Sequence, residues 1–110
     1  MNRIPMSSAA AALLRAIIAR GAVPRDRILL TDLHSVDWQS LTLVGERHNF
    51  ELRIAGTESR QIAERMCDGL EDAEFAIPGQ IVADINMVGA LAFADDGSTS
   101  IKIEALTVEE

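Results

Sequence analysis

Tyrosine is missing from the 110 residues, and tryptophan and cysteine occur once each. A single thiol, Cys67, excludes an intramolecular disulfide and fits a reducing compartment, so a cytoplasmic location is expected. Catalytic and cofactor signatures are missing as well. Gly79, Gly89 and Gly97 fall in turn or strand positions, with no dinucleotide or P-loop spacing around them. No CxxC, HExxH, GxSxG or EF-hand pattern occurs, so no cofactor or metal is expected. No run approaches the ~18 apolar residues of a membrane span.

What is present is an ordinary globular composition, 48% apolar and 25% charged, enough for one hydrophobic core without disulfide or metal support. A single domain over residues 1–110 is expected. The net charge of −7 is unevenly spread. Residues 1–30 carry five arginines (Arg3, Arg15, Arg20, Arg25, Arg27) against Asp26, whereas residues 68–110 carry ten acids and one base, Lys102. An acidic body without a basic stripe argues against nucleic acid and anionic membranes as partners. The first 25 residues, rich in arginine and without an acid, resemble an organelle transit peptide in composition; their apolar spacing favours a folded helix instead.

That helix is expected over 7–20, capped by Ser7 or Ser8, with Ala10, Leu13, Leu14, Ile17 and Ile18 on one stripe and Gly21 as the left-handed residue that ends it. Residues 27–55 read as strand, either one long bent strand plus a return or three short strands. Alternation of Leu41 and Leu43, and of Phe50, Leu52 and Ile54, puts a reversal at Gly45-Glu46-Arg47-His48. Ile28, Leu30, Val36 and Trp38 have the opposite parity, which calls for a bulge or break near Gln39-Ser40. A second helix is expected over about 58–71 with Thr57 as cap, then strands over about 80–93 and 99–108. A three-residue loop with left-handed Gly97 keeps Leu91 opposite Ile101 and puts Met87 opposite Ala105.

Residues 7–55 and 57–108 thus read as two helix-plus-hairpin units. A shift of about 49 residues sets Leu13, Ile17 and Ile18 on Ile62, Met66 and Cys67, and Leu52 and Ile54 on Ile101 and Ile103. The expected fold is α+β: two helices on one face of a mostly antiparallel sheet of four or five strands, order α-β-(β)-β-α-β-β. With three strands in 27–55, that order looks like the small acidic chaperones of type III secretion, which dimerise and hold an unfolded segment of an effector. With two, it resembles a permuted ferredoxin-like sandwich.

The sheet face away from the helices is expected to carry Val44, Val82, Val88, Leu106 and Val108 among charged residues, a semi-apolar face suited to association, with Trp38 as a further anchor. The functional expectation is a non-catalytic interaction module (adaptor, chaperone-like or regulatory), homodimeric or bound to another protein. An alternative is a small enzyme or metal site: Asp32 and His34 share a strand face, and Glu46 and His48 lie at the presumed next turn. A third is a small-ligand domain with a cavity between sheet and helices. Cys67, beside the second helix's apolar stripe, reads as a core residue rather than a nucleophile.

Overall fold

The computed structural model describes residues 5–110. Helix α1 is Ser8–Ala19; the Ser7 hydroxyl accepts from the Ala10 N–H at 3.1 Å, which satisfies one orphan donor of the first turn. Its Ala- and Leu-rich sequence favours helix, and Ala10, Leu13 and Ile17 are completely buried. The left-handed residue after it is Ala22 (φ 54°), not Gly21. Gly21 is small for lack of room: a Cβ there would stand 3.0 Å from Ile28 Cδ1.

A 3-10 turn at Arg25–Arg27 leads into β1, Ile28–Gln39, which returns through Ser40–Leu43 into β2, Val44–Ile54. Residues 28–54 therefore form one hairpin. This is the two-strand order that resembles a permuted ferredoxin-like sandwich; the three-strand order of the secretion chaperones is not formed. The reversal lies at 40–43 rather than 45–48, because the Ser40 hydroxyl accepts from the Leu43 N–H at 3.1 Å while the Ser40 N–H donates to the Leu43 carbonyl. The change of parity in β1 comes from a bulge at Thr31, between the pairs Leu30–Leu52 and Asp32–Glu51. Ile28, Leu30 and Leu33 consequently share the face of Phe50, Leu52 and Ile54, and Val36 and Trp38 point to the other side.

Helix α2, Ser59–Cys67, is shorter than the sequence pattern implies. Glu58, at φ 64°, precedes it without a side-chain cap, and Thr57 does not cap it. Left-handed Gly69 then breaks the chain into a 3-10 turn, Leu70–Asp72, which still buries Leu70. The last strands are β3 (Gln80–Met87), β4 (Ala92–Phe93) and β5 (Thr99–Glu109). Gly97 is left-handed, and the Ala94 N–H donates to the Ser98 carbonyl, so β4 and β5 are joined by the expected three-residue loop. Asp96 accepts from the Ser98 N–H and hydroxyl, and with Arg53 beside it these bonds hold its carboxyl below the usual range. Farther from the loop the register differs from expectation. Two extra residues around left-handed Gly89 bring Met87 opposite Ile103, and a second bulge at Ala83 turns Val82 toward the core and Ile81 out.

The sheet is antiparallel throughout, in the order β1-β2-β5-β3, with β4 also on β5. Both helices cover the face built from Phe50, Leu52, Ile54, Ile101 and Ile103. Leu52 and Ile101, equated by the 49-residue shift, stand directly opposite each other in the β2–β5 ladder. The hairpins on either side of that pair differ in register: Leu33 faces Phe50, whereas Val82, its counterpart under the shift, faces Thr107. Arginines tie the two units together: Arg20 donates to the Met66 carbonyl at 2.8 Å and to the Asp68 carbonyl, and Arg65 donates to the Gly21 carbonyl. Arg27 closes the link between units, donating to the Ala55 and Thr57 carbonyls.

Candidate interaction surface

Among the described residues, no other element covers the β1–β2 turn. Residues 39–44 lie beyond the last β2–β5 pair, Gly45–Val108, and Leu41 is fully exposed there, with Leu43 and Val44 about half exposed. An exposed leucine at a turn costs nothing in packing, since it has none; three aliphatic residues in four positions form an apolar tip. The sequence pattern hid it, because Leu41-Thr42-Leu43 alternates like a buried strand and no Gly or Pro marks the turn. The one available signal was Ser40.

From the tip an apolar stripe runs across the face opposite the helices. One cross-strand row is Trp38, Gly45, Val108 and Ile81; the next is Val36, Arg47, Leu106 and Asp84. Gly45 has no side chain for a steric reason: a Cβ there would lie 2.0 Å from the Thr107 carbonyl oxygen. This leaves nothing on that face between Trp38 and Val108. Leu106 and Val108 are buried at 9% and 5% exposure, the first beside an Arg47–Glu104 ion pair of 3.1 Å. Trp38 is half-buried, Val36 and Ile81 exposed. Of the residues expected on this face, Leu106, Val108 and Trp38 therefore lie together. Val88 is also on this face, beside Asp32, Glu51 and Lys102, whereas Val44, next to Gly45 in the ladder, lies at the tip on the opposite side and Val82 is on the core side.

The residues of the polar alternative do not converge. Asp32 and His34 stand on the outer face, paired with Glu51 and Asn49. His48 is on the helix-covered face and completely buried. Its Nδ1 is 2.7 Å from Ser35 Oγ and its Nε2 is 2.9 Å from Thr107 Oγ1. Burial holds its pKa below the usual 6.5, against the opposing pull of Glu46. Both ring nitrogens meet hydroxyls, with no carboxylate to orient the ring and no solvent access for a substrate; the row Ser35–His48–Thr107 is a satisfied polar seam of the core. No group of three or more metal-ligating side chains forms among the described residues. Cys67 packs half-buried against the core, and burial raises its thiol pKa while Arg20 partly offsets this, so the thiolate is scarce.

The clefts are shallow and on the surface. One of about 160 Å³ lies over Asp32, Glu51, Val88 and Lys102; another, about 240 Å³, is lined by Arg15, Ile18, Ala19, Val23 and Arg25; two wider ones, about 460 Å³ along residues 75–80 and about 510 Å³ along residues 56–61, are broadly open to solvent. Among the described residues no helix is long and apolar enough to cross a membrane. No protein-family model and no curated protein matches the sequence.

Proposed function

We propose that this protein is a non-catalytic interaction module, an adaptor or regulatory partner that associates with itself or another protein through the β1–β2 hairpin and the adjoining outer sheet face. The observation that carries this reading is the apolar tip, with Leu41 fully exposed beside Leu43 and Val44. Solvent exposure of clustered large aliphatic side chains is unfavourable unless a partner covers them, at about 25 cal/mol per Å². The scattered placement of Asp32, His34 and His48 and the shallow clefts weigh against the catalytic and small-ligand alternatives. A chaperone-like role keeps no topological support, since 28–54 form two strands.

Sedimentation velocity on the full chain over a wide concentration range tests the reading. Association is expected, and L41S/L43S should weaken it with unchanged circular dichroism. A chain that stays monomeric, with backbone amides of the tip exchanging freely at every concentration, would overturn self-association and leave only a different protein as the partner.

A further inference from the structure

We infer that the partner is a second copy of this chain, joined antiparallel along β1 about Leu33, with each hairpin tip resting in the partner's cleft between α1 and the 3-10 turn that precedes β1. This rests on the interaction-module reading and specifies its contact.

The two sheet edges differ. The β3–β4 edge is interrupted at Ala83 and again around Gly89, whereas β1 runs without a break from Asp32 to Gln39. Because the Ser40 N–H pairs with the Leu43 carbonyl, the even residues 32–38 bond to β2 and the backbone groups of Leu33, Ser35, Asp37 and Gln39 face the open edge. Edge strands carry charges that reject indiscriminate pairing. Here the side chains favour one register. Centring on Leu33 sets Asp32 opposite His34 of the partner subunit, twice by symmetry, whereas centring on Asp37 would oppose two carboxylates, centring on His34 two imidazoles, and centring on Ser35 or Val36 would leave Asp32 and His34 with no polar partner within β1.

The same register brings the rest of each surface together. From Leu33 to Gln39 a strand extends roughly 20 Å, slightly more than the distance back from Leu33 to Ile28. The tip at 40–43 therefore reaches the level of the partner's 3-10 turn, where the cleft lined by Ile18, Ala19 and Val23 opens between Arg15 and Arg25. A two-fold axis normal to the sheet keeps the helix-covered faces on one side. Asp37 and Glu46, cross-strand neighbours on that face of the hairpin, then meet the two arginines. Apolar tip meets apolar cleft, and acids meet arginines.

Disulfide trapping decides the register. Asp32 and His34 would form a non-hydrogen-bonded pair with Cα atoms about 4.5 Å apart, within disulfide reach. Both are exposed, so D32C/H34C in a C67S background should fold and oxidise to a covalent dimer. D37R and R25E should each weaken the dimer roughly tenfold, through two symmetry-related ion pairs, and the double variant should restore it. Mapping of the cross-link to 32–34 with rescue in the double variant supports the inference. A dimer that L41S/L43S disrupts but that neither cross-links at 32–34 nor responds to D37R and R25E overturns this register and leaves the interaction-module reading standing. A strict monomer overturns this inference together with self-association in that reading.

Discussion

His48 is a titratable side chain kept dry by two hydroxyls, and its proton equilibrium is consequently coupled to folding. With the folded pKa below the ordinary 6.5, the unfolded chain takes up a proton first as the pH drops. The stability contributed by the neutral ring is complete above pH 6.5 and is lost as the pH falls from there toward the folded value. Urea midpoints between about pH 7.5 and pH 5 should show this decline, and H48L should flatten it while leaving the buried Thr107 hydroxyl with only its 3.5 Å bond to the Glu46 carbonyl, at a cost of about 1–3 kcal/mol. Two neighbouring small residues make an opposed pair of predictions. A22G should raise stability by roughly 0.5–1 kcal/mol, because Ala22 holds a left-handed φ. G21A should lower it, because its methyl would press on Ile28. The sequence showed a glycine where a helix ends, and assigning it the positive φ was the natural reading; only the packing of Ile28 reveals that space was the constraint.

At the scale of elements, the legible part was what alternation and helical spacing carry. The apolar stripes of α1 and α2, the alternation of Phe50, Leu52 and Ile54, and the loop at Asp95-Asp96-Gly97 all appear as the pattern implies. The misplaced features share a cause: the one-residue bulges at Thr31 and Ala83 change parity without a distinctive residue signature, so that a face assignment made by counting in twos fails beyond them, and the two extra residues around Gly89 keep parity but shift the register. The candidate surface suffered most, since Val82 changed faces at one bulge and the tip lay hidden in an alternating run. Two elements are held together by named groups and can be tested. G45A drives a methyl into the Thr107 carbonyl and should cost about 1–3 kcal/mol, read as a lowered urea midpoint. Arg20 and Arg65 each bond a carbonyl at the far helix's end; R20A and R65A should each lose about 1–2 kcal/mol, read as lowered urea midpoints.

For the whole molecule, the sheet order β1-β2-β5-β3 with both helices on one face sets the two halves of the chain side by side, joined along β2–β5. Their join is a full ladder from Gly45–Val108 to Ile54–Thr99, stitched underneath by the two arginines. The covalent link at 55–58 runs along the surface and contributes little burial of its own. Chain connectivity there acts as a tether that sets the local concentration of one half around the other. A nick between Gly56 and Thr57 would then leave the ladder intact and turn folding from a first-order event into an encounter of two pieces, with a midpoint that depends on protein concentration.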